Sequence, residues 1–317
     1  MIHFPIAPGL TILLLFMSCS PSISLGQVAA PEKFRVVGYL PDYRASEFDP
    51  GVIRKLTDLM IFSAEPSREG ELDLQRVEGF PWQLILAQKT LHRTRVVLTV
   101  GGWDRSEAFA AISAFETTRT KFAQACVQTC LEKRLDGIDI DWEHPQGADQ
   151  TRHYGLLLET LNKQLKSHGL TLSVTVAAWQ QLDPLVLRSV DWIHVMAYDH
   201  PKKHSTLENA RADVETLIKA GADRNRITLG VPFYGRKVDQ PDQVRTYRDL
   251  LNHAGKTVVE GDEYDGYYFN GPATIRRKTD YAKSTGLAGV MIWELGQDAQ
   301  GSDSLLEVIV QTAAQRR

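Results

Sequence analysis

The chain has 317 residues, with 36 Lys and Arg against 39 Asp and Glu, for a net charge of −3. That balance excludes a nucleic-acid footprint, which needs a basic excess, and adhesion to an anionic membrane surface. A hydrophobic fraction of 43% and a charged fraction of 24% exclude a disordered or fibrous chain, and the length is ample for a large core.

Residues 1–26 carry no Lys, Arg, Asp or Glu, and Leu10 to Cys19 is an apolar run too short to span a bilayer. Ser24 and Gly26 form a small-x-small pattern, with cleavage expected between Gly26 and Gln27. Residues 1–26 therefore read as a signal peptide, although the n-region offers only His3. The alternative is a lipoprotein anchored through Cys19, against which stands the poor approach sequence Phe16-Met17-Ser18. No other apolar run approaches membrane length, so no membrane span is expected and the protein should be secreted or periplasmic.

Eight strand-like runs follow: Phe34 to Leu40, Asp58 to Ala64, Arg95 to Val100, Leu135 to Asp141, Thr171 to Ala178, Asp191 to Ala197, Arg226 to Phe233 and Leu287 to Trp293. Amphipathic stretches separate them, such as Ala108 to Leu131, His153 to His168 and Leu207 to Ala220, with Gly169 and Gly221 where helix C-termini should lie. Cys126 and Cys130 share one such stretch. Together with Cys19 they make no disulfide framework and read as a buried helix face. Strands alternating with helices predict a parallel sheet, and residues 27–317 fit a (β/α)8 barrel, which typically takes about 250 residues. An open doubly wound sheet would want a Gly-rich phosphate turn after its first strand, where Gly38-Tyr39-Leu40-Pro41-Asp42-Tyr43 stands instead. One domain is expected over 33–317, with at most a small insertion between strands seven and eight.

The fourth run carries the strongest chemical signal, Asp136-Gly137-Ile138-Asp139-Ile140-Asp141-Trp142-Glu143. Alternate residues of a strand face one way, so Asp139, Asp141 and Glu143 share a face opposite Ile138, Ile140 and Trp142. Three such carboxylates cannot all ionise cheaply, which suits a general acid that must stay protonated near neutral pH. A solvated or cation-binding strand end is the competing reading, and the flanking hydrophobic residues argue against it. Barrel sites lie at the C-terminal strand ends. Those ends offer Thr99-Val100-Gly101-Gly102-Trp103, Ala178-Trp179-Gln180, Met196-Ala197-Tyr198-Asp199, Pro232-Phe233-Tyr234-Gly235-Arg236 and Met291-Ile292-Trp293-Glu294. Trp103, Trp142, Trp179 and Trp293 are thus expected at one end, where indole faces suit sugar rings.

These segments resemble glycoside hydrolase family 18, the chitinases and their relatives, over about residues 34 to 300. The Asp-Gly-x-Asp-x-Asp-x-Glu signature is complete in Asp136 to Glu143, and Thr stands at position 99 where Ser is commoner. The resemblance implies hydrolysis of β-1,4 links beside N-acetylglucosamine, with retention and through a substrate-derived oxazolinium ion, an exception to the two-carboxylate retaining scheme. It implies that Glu143 is the acid and that Asp141 orients the acetamide and shares a proton with Asp139. Tyr198 would hydrogen-bond the acetamide and Asp199 would support the sugar. Trp293 would form the floor, with Tyr234, Arg236, Trp103, Trp179 and Gly102 as further substrate contacts. Chitin or a related oligosaccharide is the expected partner, with no metal or cofactor, and a monomer is expected.

Two features depart from the family pattern. His144 follows the acid where Tyr is frequent, and packing is its favoured reading. Only 56 residues separate Arg236 from Trp293, which implies a shallow cleft and endo-type cleavage. His200 and His204 lack the Glu of a zinc-protease helix and read as loop residues, with Lys202-Lys203 a surface pair. Gly266 to Asn270 reads equally as subsite aromatics or as a hairpin. No Asn-x-Ser/Thr acceptor occurs. The alternatives are a non-catalytic chitin-binding lectin on the same fold, which usually lacks the terminal Glu, and an endo-β-N-acetylglucosaminidase or cell-wall glycan hydrolase.

Overall fold

The structure, a computed structural model, describes residues 1–3, 34–254 and 261–315. The leader, its cleavage point and Cys19 lie outside the described residues apart from 1–3. The chain divides into Met1–Glu32 and Lys33–Arg317, and the second unit is described below.

Its strands are β1 (Arg35–Pro41), β2 (Asp58–Pro66), the short β3 (Leu72–Asp73), β4 (Arg95–Gly101), β5 (Gly137–Asp141), β6 (Thr171–Val176), β7 (Trp192–Val195) and β8 (Ile227–Pro232). Then come β9 (Tyr234–Lys237), β10 (Gln240–Thr246), β11 (Glu263–Tyr264), β12 (Tyr267–Tyr268) and β13 (Gly289–Trp293). Parallel pairing runs β1-β13-β8-β7-β6-β5-β4-β2, and β1 also pairs with β2, so eight strands close into a barrel. These strands are buried on both faces, which is why they are near-continuous runs of Val, Ile and Leu.

Two cores follow from the alternation. Val36, Leu40, Leu59, Ile61, Ile138 and Ile140 point outward and pack under the helices. Val37, Tyr39, Met60, Phe62, Val97 and Met291 point inward and fill the barrel. The predicted glycines end helices as expected. Gly169 (φ 70°) follows the helix Gly147–Lys166, and Leu170 N–H closes the turn on Leu165 O at 3.0 Å. Gly221 (φ 104°) follows Leu207–Lys219, with Ala222 N–H on Leu217 O at 3.0 Å.

The expected helix from Ala108 to Leu131 is instead two, Phe109–Ala114 and Glu116–Lys133. Phe115 between them is extended (φ −119°, ψ 144°), and freed carbonyls are taken up by the Thr118 hydroxyl on Ile112 O and Arg119 on Ser113 O, each at 2.8 Å. Cys126 and Cys130 are buried free thiols on the second helix. Between β8 and β13 lies the insertion, an antiparallel sheet in the order β10-β9-β12-β11 with the helix Tyr247–Ala254. The Gly266 to Asn270 segment takes its hairpin form. Asp265 and Gly266 (φ 49° and 75°) make the turn and Tyr267 and Tyr268 are buried.

Candidate active site

The acidic row of β5 enters the barrel. Asp139 is fully buried, Asp141 nearly so, and Glu143 stands just beyond the strand end with a half-buried side chain. Strand register surrounds Asp139 with hydroxyls, because Thr99 of β4 and Ser173 of β6 lie directly opposite it. Ser173 donates to Oδ1 at 2.7 Å, while Tyr39, Thr175 and Thr99 donate to Oδ2 at 2.9, 3.1 and 3.2 Å. Burial raises the Asp139 carboxyl above its ordinary value and these four donors oppose the rise.

Asp141 has no such cradle, since its Oδ1 is buried without a partner. Burial, then the charges of Glu143 and Asp139, push it well above the usual carboxylate range. Burial lifts Glu143 to about 7, helped by the charges of Asp199 and Asp104 and opposed by the Trp103 backbone N–H. All three carboxyls are thus raised, Asp139 against the opposition of four hydroxyl donors, which suits a row that must keep a proton for a general acid.

The turn after β4 fixes Glu143 from behind. Gly102 N–H donates to Asp141 O at 2.7 Å, and the Ser106 hydroxyl bonds Gly102 O and Asp141 O while accepting Glu143 N–H at 3.1 Å. Gly102 has φ 106°, and a Cβ there would lie 2.3 Å from Phe62 Cζ. Gly102 is buried, and its place in the structure is a close approach of backbone to the Phe62 ring.

Across the barrel, Asp199 (φ 64°) accepts from Tyr234 OH at 2.5 Å and from Arg236 Nη2 at 2.8 Å, with His204 Nδ1 at 3.5 Å. Burial alone would raise Asp199, but His204, Arg236 and Tyr234 outweigh it and hold the carboxyl well below its ordinary value. Tyr198 is buried beside it, its hydroxyl 3.9 Å from Met291 Sδ.

Glu143, Asp141, Tyr198, Asp199, Tyr234, Arg236, Trp103, Trp179 and Trp293 all line one cavity of about 640 Å³ at the C-terminal strand ends. Trp293 lines it, edge-on to Phe62 at 4.8 Å and tilted against Tyr39 at 5.7 Å. Trp103 and Trp179 are 69% and 71% exposed, so their faces are free to meet a ligand. Trp142 departs from the expected cluster. It is core, stacked on Phe109 at 5.5 Å, because it alternates with the acids. His200 and His204 are loop residues as expected, His200 bound to Asp213 at 2.8 Å.

Sequence reasoning missed Tyr39, Phe62, Thr175, Met196 and Arg105, which also line the cavity. Strand alternation was the available signal for Tyr39, Phe62 and Thr175, which are inward positions of their strands. Among the described residues, no cluster of three or more His, Cys, Asp or Glu could hold a metal ion, and no helix is long and apolar enough to cross a membrane.

A closed parallel barrel with a proton-holding acid row under an aromatic groove has the design of a glycosidase. The sequence matches the profile of glycosyl hydrolases family 18 over residues 35–298, and the chain belongs to that family. It is 31% identical over 281 residues to Chitinase 1 of Aphanocladium album, an alignment covering 71% of this chain and 66% of the relative. It is 28% identical over 288 residues to Endochitinase 1 of Metarhizium robertsii, covering 73% of this chain and 68% of the relative. The chain thus spans about two thirds of the length of these relatives. The GH18 chitinase ChiB from the chitin utilization locus of Flavobacterium johnsoniae superposes with a TM-score of 0.79 at 28% identity, covering 89% of this chain and 94% of that one.

Proposed function

We propose that the protein is a chitinase-type hydrolase cleaving β-1,4 links of N-acetylglucosamine polymers by substrate-assisted retention. One observation carries this reading. Glu143 stands in the groove with its carboxyl raised to about 7 by burial. Asp141 is driven towards its neutral form, and Asp199 is tied to Arg236 and Tyr234. As is general for the family, the nucleophile in this reading is the acetamido oxygen of the sugar itself. Glu143 gives its proton to the bridging oxygen, which leaves with the bonding pair of the broken C1–O bond. The acetamido oxygen bonds C1 and forms an oxazolinium ion. Asp141 accepts the acetamido N–H, Tyr198 donates to the acetamido oxygen, and Trp293 carries the distorted ring. Water then attacks C1 while the Glu143 carboxylate takes its proton, and the bond from C1 to the acetamido oxygen breaks with its pair returning to that oxygen, which restores the acetamide and the acid and retains configuration.

Among the described residues the insertion brings Tyr234, Arg236 and Val244 to the groove, which supports a shallow cleft and endo cleavage. Export through the 1–26 leader and action as a monomer belong to the same proposal. Incubation with chitin oligomers, a high-mannose glycopeptide and peptidoglycan, with products identified by mass, tests it. Cleavage of internal links in chitin oligomers with initial β-anomers is the expected result. Cleavage of the glycopeptide or peptidoglycan alone overturns the substrate, and binding without turnover would make the protein a lectin.

A further inference from the structure

His144 does more than pack. We propose that it is a positioning residue for the acid, donating a hydrogen bond from Nε2 to the Glu143 carboxylate as the proton leaves. The inference rests on the assignment of Glu143 as the acid. Three observations support it. The His144 Nε2 atom lies 3.6 Å from Glu143 Oε2, with both side chains little exposed (13% and 14%). That separation is too long for a formed hydrogen bond, and catalytic bonds often tighten only with substrate in place.

Second, Nδ1 is buried without a hydrogen-bond partner, and the neighbouring Gln180 amide is engaged by Ala177 N at 2.6 Å and Trp142 O at 3.4 Å. In this proposal the neutral ring carries its proton on Nε2, the nitrogen that faces the acid, with Gln180 acting on the same ring in the sense opposite to burial. Burial lowers the ring's basicity, which keeps it neutral and a donor instead of a competing acid. Third, the imidazole stands edge-to-face with Trp179 at 4.5 Å. Like Glu143 and Trp103, it lines both the main cavity and a neighbouring one that reaches Gln150. A purely space-filling residue has no need of this placement.

The charged groups facing Glu143 are Asp141 of β5, Asp104 after β4 and Asp199 after β7, with Tyr198 also acting on the same system. These carboxylates disfavour the Glu143 carboxylate, the Trp103 backbone N–H favours it, and His144 is a side chain placed to favour it as well. Removing the donor should therefore raise the proton affinity of Glu143.

Two variants test this. His144→Phe keeps the ring and its contact with Trp179 but loses the N–H. The Glu143 carboxyl, followed by carbon-13 NMR in the free protein, should titrate roughly half a pH unit or more higher than in the wild type. The alkaline limb of kcat/KM on chitin oligomers should move up with it, and kcat should fall about tenfold at unchanged KM. His144→Gln keeps a donor but loses the ring. Its titration should stay near the wild-type position while KM rises as Trp179 loses its edge partner. A wild-type titration in His144→Phe, with a wild-type melting curve, overturns the inference, whatever substrate the enzyme takes. Failure of the wild type to cleave any chitin oligomer overturns the proposed function instead, and the NMR titration still decides the role of His144.

Discussion

At the scale of single residues, the chemistry depends on where protons rest in the row Asp139–Asp141–Glu143. Asp139 accepts four hydroxyl hydrogens, and Asp141 keeps a bare oxygen toward the groove. Glu143→Gln should lower turnover by about 10²–10⁴-fold or more while leaving sugar binding intact, read as quenching of indole fluorescence from Trp103, Trp179 and Trp293. Full activity in that variant would refute the assignment of the acid. Asp141→Asn should slow the reaction by about 10²-fold or more and alter its pH profile, because the two coupled carboxyls then titrate as one. An unchanged pH profile would count against the coupled carboxylates. The acids themselves were legible in the sequence, since one strand's alternation is local. Their hydroxyl cradle was not, because it depends on register between β4, β5 and β6, and no local pattern encodes which hydroxyl meets which carboxylate.

At the scale of elements, the turn after β4 transmits packing to chemistry. It holds Glu143 through Ser106 and leaves room for Phe62, which supports Trp293. Gly102→Ala would force a side chain into left-handed backbone against an aromatic ring. We expect a loss of roughly 2–4 kcal/mol in chemical denaturation and a larger proportional fall in kcat than in substrate affinity. Wild-type stability in this variant would show that the turn tolerates a Cβ and that the argument from close approach is wrong. All eight barrel strands were legible because burial on both faces writes itself as short apolar runs. The split at Phe115 was hidden, since the amphipathic pattern runs on across it and only tertiary capping by Thr118 and Arg119 marks the break. The sheet β9–β12 was equally hidden, as β11 and β12 have two residues each, too few to show a period.

At the scale of the whole molecule, the site is built at a cost to stability. An unfolded Glu titrates near 4.5, and in the fold Glu143 holds its proton to about 7. Between those values the folded state binds more protons than the unfolded one, so this group's contribution to stability falls as pH rises through the window. The barrel interior supplies the opposite slope. Burial pushes His194 down to about 3, so the unfolded state binds more protons below 6.5 and stability is lost as pH falls toward 3. The two windows overlap and partly cancel in the wild type between 4.5 and 6.5. Glu143→Gln removes only the first slope, so the variant should match the wild type near pH 4 and exceed it at pH 8. The difference there should be on the order of 1–3 kcal/mol in urea denaturation, allowing for the coupling with Asp141. A difference of the same size at pH 4 would mean that the gain comes from packing. In that case the acid's raised proton affinity would not be the source of the strain that the fold carries for function.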